Sequence, residues 1–118
     1  MAKTIDFAYL RKHCDSCKKA VSWLDGVEHA IKAQEDASKI RKSEEEAITL
    51  ARKAKTVLVS KGKSLVRFTM DKKSAPADDE LASAIMGPTG NLRAPTFLVG
   101  KTLLVGFNEE AYREVFAS

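Results

Sequence analysis

Cys14 and Cys17 are the two cysteines of the chain, and they stand as a CxxC pair in HCDSCKKAVSWL, residues 13–24. Such a pair supports three outcomes: reversible thiol–disulfide exchange, half of a metal site, or two inert side chains in a core. A closed zinc site wants four ligands, commonly drawn from two close pairs. Only His13 and His29 are available to supplement the cysteines. His29 falls on an expected strand face, where a core histidine with an ordinary partner is commoner than a ligand, so no metal is expected. An inert pair would suit Cys17 but not Cys14, which lies among Arg11, Lys12, Lys18 and Lys19 with only Asp15 to offset them. Redox chemistry is the expectation.

The roles of the two sulfurs follow from where a helix begins. Residues 15–25 place Cys17, Ala20, Val21 and Leu24 at i, i+3, i+4 and i+7, the pattern of a helix with one buried face, and Gly26 follows as a stop. Cys14 then sits at the N-terminal end, where free backbone N–H groups and the helix dipole favour an anion. Cys14 is expected to be exposed and to attack; Cys17, one turn on within the apolar stripe, is expected to resolve the product. His13 either tunes Cys14 or shuttles a proton, and a loop histidine facing solvent fits its position equally well.

Around this pair the chain reads as alternating elements. KTIDFAY (residues 3–9) alternates as a strand with Ile5 and Phe7 on one face, and VEHAIKA (27–33) is a weaker strand able to pair beside it, which makes a βαβ unit. Residues 43–54 form a helix opened by a Ser43–Glu46 capping box, with Ala47, Leu50, Ala51 and Ala54 as its buried stripe. TVLVS and SLVRFTM form a hairpin about Lys61, Gly62 and Lys63. Pro76, Asp78, Asp79 and Glu80 open a further helix that carries Leu81 and Ile85 and ends at Gly87-Pro88. A strand from Thr96 to Val99, a turn at Gly100-Lys101 and a strand from Thr102 to Val105 follow Pro95. Asn108 caps a last helix with Ala111, Tyr112, Val115 and Phe116 on one face. The order predicts a two-layer α/β domain with a mixed sheet.

Composition narrows the class. With 118 residues, 44% hydrophobic and 31% charged, the chain suits one domain with a real core. A net charge of +4 with mixed signs along the chain does not point to nucleic acid, and no direct nucleic-acid partner is expected. The N-terminal stretch lacks an apolar h-region, and no run is long enough for a membrane helix, so a cytoplasmic protein with no membrane partner is expected.

CDSCKKAVSWL and NLRAPTFLVGKTLLVGFNEEAYREVF, together about a third of the chain, resemble the arsenate reductase-like family of glutaredoxin-like proteins. That family also holds redox-sensing transcription regulators and uncharacterised oxidoreductases. The resemblance implies a thioredoxin-like fold over residues 1–118 with a helical and hairpin insert at about 40–90, and Cys14 as the nucleophile. In thioredoxin-like folds a cis-proline just before a strand lies against the CxxC helix start, where its backbone pairs with a substrate chain. Ala94-Pro95-Thr96 occupies that place. Arg93 is then expected to face the site and, with Arg11 and Lys12, to attract an anionic group such as a glutathione carboxylate or an oxyanion.

The chain departs from the pattern in two ways. Ala94 separates the arginine from the proline, and Cys17 supplies a second thiol where arsenate reductases of this type rely on glutathione. Both departures favour dithiol exchange over arsenate reduction. Relatives sharing the GPTGNLRAPT style of ending resemble selenoproteins, with selenocysteine at the position of Cys14. The resulting expectation is a thiol–disulfide oxidoreductase acting on a small thiol or protein disulfide. It would carry no bound cofactor and be reduced by glutathione or the thioredoxin system. The alternative is a redox-switched regulator that binds a partner such as RNA polymerase, with the basic hairpin at Lys61-Gly62-Lys63 as a surface, and arsenate reduction is a further alternative.

Overall fold

A computed structural model describes residues 3–11, 14–61, 64–71, 73, 75–87 and 90–116. The first expected strand is bent at Asp6 into β1 (Lys3–Ile5) and β2 (Phe7–Leu10), and α1 (Asp15–Leu24) follows. The second is likewise divided, into β3 (His29–Ile31) and β4 (Gln34–Asp36). β1 pairs with β3 and β2 with β4, both in parallel, which completes the βαβ unit. The polar residues of β4 carry no apolar alternation, which is why that edge strand has no signature in the sequence.

The chain continues through α2 (Glu44–Arg52), β5 (Thr56–Lys61), β6 (Ser64–Thr69), α3 (Asp78–Ile85), β7 (Thr96–Val99), β8 (Thr102–Val105) and α4 (Glu109–Phe116). The larger sheet has the order β4-β2-β7-β8-β5-β6. β7 lies antiparallel to β2 and to β8, and β5 lies parallel to β8, so the sheet is mixed. The segment between β4 and β7 therefore supplies two helices and a hairpin that extends the sheet beyond β8.

Strand periodicity sends alternate side chains to opposite faces, and both faces are covered. Tyr9, Val57, Val59, Leu103 and Val105 point to one side, against Ala47 and Ala51 of α2 and Leu81 and Ile85 of α3. Ala8, Leu58, Phe97 and Leu104 point to the other, against Ala20 and Leu24 of α1 and Ala111, Tyr112 and Phe116 of α4. The domain thus has three layers rather than the two expected. A strand such as β5, buried on both faces, reads as a continuous apolar run and does not announce a second helix layer. This is a thioredoxin-like fold, as the resemblance implied.

The local signals hold at the helix ends. Ser43 Oγ accepts the Glu46 N–H at 3.3 Å and the Glu46 carboxylate accepts the Ser43 N–H at 3.3 Å, the reciprocal bonds of a capping box. Asn108 Oδ1 accepts the Ala111 N–H at 2.9 Å and caps α4. Val21, assigned to the buried stripe of α1, is 43% exposed, while Cys17, Ala20 and Leu24 are buried. No helix among the described residues is long and apolar enough to cross a membrane.

Gly106, just after β8, ties the fold to the proline loop. Its N–H donates to the Pro95 carbonyl at 2.7 Å and its carbonyl accepts the buried Tyr112 hydroxyl at 2.8 Å. Its φ is +84°, and an added Cβ would meet the Ser60 Cβ at 3.0 Å. Gly100, in the β7–β8 turn, has φ +60° but open space around it. Gly106→Ala is expected to lower unfolding free energy by about 2 kcal/mol or more, and Gly100→Ala by about 1 kcal/mol, since only the first adds a steric clash to the left-handed backbone cost. Urea denaturation of the two variants checks the ranking; equal losses would contradict it.

Candidate active site

Antiparallel pairing sets the site. β2 runs toward Cys14, β7 runs away from Pro95, and Tyr9 lies opposite Thr96 in the register. The loop that leaves β2 is thereby brought beside the loop that enters β7. The Ala94-Pro95 bond is cis, and Cys14 Sγ lies 3.8 Å from the Ala94 carbonyl oxygen.

Cys14 is the N-cap of α1, with extended backbone at φ −107° and ψ 121°. Its sulfur accepts the Cys17 N–H at 3.4 Å, so one of the unpaired donors of the first turn faces the place where negative charge would reside. Cys14 is half-exposed and Cys17 is buried, and both are free thiols. The Arg11 N–H reaches Cys17 Sγ at 3.4 Å. Burial pushes the Cys17 thiol from its ordinary 9.0 up to about 12; the Arg11 N–H pulls the other way, and the Cys14 side chain adds to the rise. The Cys14 contribution depends on Cys14 remaining a free thiol or thiolate. A disulfide bond at Cys14 would remove that contribution and leave the larger one, burial.

A cavity of about 230 Å³ opens at Cys14, lined also by Arg11, Arg93, Asn91, Gly87, Leu92 and Ala94. Its charged groups are the two arginines, and no carboxylate lines it among the described residues. It is small beside sites that enclose drug-sized ligands, and suits a group the size of one residue. Arg93 is half-buried, and its guanidinium donates to the Ala84 carbonyl near the end of α3 at 3.4 Å. A cation there also complements the negative end of the helix.

The remaining expected site residues fall elsewhere. Pro95 and Thr96 are buried, and neither lines the cavity. The Thr96 hydroxyl donates to the Arg93 carbonyl at 2.6 Å, so this side chain braces the turn from within. Lys12 and His13 lie outside the described residues, as do Gly62 and Lys63 of the hairpin tip. His29 Nδ1 is 2.9 Å from the Val27 carbonyl, on β3 in the smaller sheet.

Asn91 was not singled out in the sequence, where it sits between Gly90 and Leu92 and resembles an ordinary turn residue. It is only 6% exposed, and its partners, Tyr9 and Lys42, are 82 and 49 residues away. No local pattern carries such a signal.

A thioredoxin-like domain with a paired thiol at the first helix and a cis-proline across from it is the class that this fold and geometry define. Within that class the chain belongs to the ArsC family, whose model matches residues 9–115. This is the arsenate reductase-like family that the two sequence blocks resemble. The chain is also similar to the global transcriptional regulator Spx of Enterococcus faecalis, with 32% identity over 108 residues that cover 89% of this chain and 81% of that protein.

Folded Cys17 holds its proton to about pH 12, whereas the unfolded chain releases it near 9. The associated stability is complete below pH 9 and declines as pH rises toward 12. Tyr112, raised by burial and by the Cys17 charge, contributes with the same sign, so the readout is the difference between variants. Denaturant titrations from pH 8 to 11 should show wild type losing stability more steeply above pH 9 than Cys17→Ala. Parallel curves would contradict the assignment.

Proposed function

We propose that this protein is a thiol–disulfide oxidoreductase in which Cys14 attacks and Cys17 resolves. The observation that carries the reading is the inequality of the two sulfurs: Cys14 half-exposed at the helix N-cap and open to a cationic cavity, Cys17 buried one turn behind it.

The Cys14 thiolate attacks one sulfur of a substrate disulfide, whose S–S bond breaks as the Cys14–substrate bond forms. The leaving thiolate takes up a proton. Cys17 then gives up its own proton and attacks Cys14 Sγ, and the second substrate thiol departs with a proton. The substrate gains two electrons and the protein is left with a Cys14–Cys17 disulfide. A dithiol protein of the thioredoxin type, or two molecules of glutathione, returns the pair to its reduced form. The Arg11 N–H at Cys17 Sγ is placed to ease the second step, because it stabilises the thiolate that step requires. Arg11 and Arg93 favour substrates that carry an anionic group near the reacting sulfur. Neither Pro95 nor Thr96 needs a side-chain contact with substrate; their part is to hold the Arg93-Ala94 backbone against Cys14.

A second reading is favoured by the similarity to the global transcriptional regulator Spx. In it the Cys14–Cys17 disulfide changes the surface around α1 and switches binding to a protein partner, with RNA polymerase as the candidate.

Cys14→Ser is expected to abolish reduction of a disulfide substrate, with a loss of about 1000-fold or more, since no other thiol in the chain can take its place. Cys17→Ser should instead accumulate a mixed disulfide at Cys14, visible as a mass adduct removed by dithiothreitol. If wild type turns over with neither a glutathione-linked nor a thioredoxin-linked reductant, yet captures RNA polymerase only when oxidised, the enzyme reading is lost and the regulator reading stands.

A further inference from the structure

Asn91 is buried, polar and at the wall of the Cys14 cavity. Its Oδ1 lies 2.6 Å from the Lys42 backbone nitrogen and 2.9 Å from the Tyr9 hydroxyl. A backbone N–H can only donate, so the atom facing Lys42 must be the carboxamide oxygen, and the orientation of the amide is settled by chemistry. Tyr9 is itself held: its hydroxyl lies 2.6 Å from the Ile40 carbonyl and 3.2 Å from the Lys42 nitrogen. The Lys42 carbonyl accepts the Leu92 N–H at 3.1 Å, which fixes the backbone next to Asn91.

With the oxygen committed, the NH₂ end of Asn91 has no partner among the described residues. The NH₂ is not among the buried side-chain atoms left without a partner, so it is open to the cavity, where a bound oxygen would take the place of solvent. The cavity already presents Arg11 and Arg93 and no carboxylate among the described residues, so its chemistry is that of a site rich in donors.

We propose that Asn91 is a specificity-determining residue of this site. Its carboxamide N–H donates to an oxygen of a carboxylate-bearing group bound beside Cys14, and Tyr9 and Lys42 hold the amide in the orientation that makes this possible. Tyr9 is a positioning residue in this arrangement. The substrate class is a low-molecular-weight or peptide disulfide with a carboxylate close to the reacting sulfur. The substrate class deepens the oxidoreductase reading, but the anion preference of the cavity can be measured without turnover.

The test compares alkylation of Cys14 by iodoacetate, which carries a carboxylate, and by iodoacetamide, which is neutral and of nearly the same size. Mass spectrometry of the Cys14 peptide gives each rate. Asn91→Leu removes the donor without adding charge, and leaves Tyr9 and Lys42 their remaining bonds with each other and with Ile40. Asn91→Asp keeps the accepting oxygen and replaces only the NH₂ end. The iodoacetate-to-iodoacetamide ratio is expected to fall about threefold or more in Asn91→Leu and further in Asn91→Asp. The comparison is repeated near 1 M salt, where the range of the added charge shrinks to about 3 Å and a direct contact survives. Tyr9→Phe should lower the ratio by a smaller factor. A ratio equal to wild type in folded Asn91→Leu overturns the proposal. Should that variant not fold, Asn91→Asp at high salt decides alone, and an unchanged ratio there overturns it equally. In the disulfide assay, the proposal expects Asn91→Leu to raise KM for oxidised glutathione by a larger factor than KM for bis(2-hydroxyethyl) disulfide, which has no carboxylate. Absence of turnover in wild type would count against the oxidoreductase reading alone, because the alkylation ratio still judges Asn91.

Discussion

The site depends on Cys14 being the N-cap of α1. The cap residue is extended while the next is helical, so its side chain is turned back over the first turn and its sulfur meets the Cys17 N–H. That single arrangement exposes one sulfur and buries the other. A CxxC placed one turn later would put both sulfurs on the helix surface, with neither receiving a free backbone donor.

The opposite wall is held by bonds from distant parts of the chain. Gly106 holds the Pro95 carbonyl, Thr96 holds the Arg93 carbonyl, and Tyr9 and Lys42 hold Asn91. These contacts place Ala94 against Cys14 and keep Arg93 at the cavity. α2 is thereby part of the site's foundation, since Lys42 directly precedes its capping Ser43 and bonds to both Asn91 and Leu92. Lys42 is anchored in turn, with Nζ 2.6 Å from Glu35 on β4 and over the Phe7 ring. A chain of polar contacts thus runs from the sheet edge to the thiol cavity.

Membership in the ArsC family and similarity to a transcriptional regulator are compatible with one physical design. A sulfur that attacks readily and a second that resolves it make a good catalyst if substrate exchange is fast. They make a good switch if the disulfide persists and the surface around it is read by another protein. The features that separate the two are the access to Cys14 and the chemistry of the cavity beside it. Arg11, Arg93 and the Asn91 amide line that cavity.

Much of the scaffold was legible residue by residue. The capping box at Ser43, the cap at Asn108, the turn at Gly100-Lys101 and the apolar stripes of α1 and α4 are local patterns, because capping and periodicity act within one or two turns. The position of Cys14 before a helix, and so the unequal exposure of the two sulfurs, belongs to the same class of information. Other features were decided by the tertiary structure alone. The bend at Asp6, the polar edge strand β4, the second helix layer and the exposure of Val21 depend on which neighbour each element meets. So do the inward-turned hydroxyl of Thr96 and the burial of Asn91. The physical reason is that a side chain's partner is set by strand register. Pairing β2 against β7 with Tyr9 opposite Thr96 brings together residues more than eighty positions apart, and no pattern near either of them encodes that meeting.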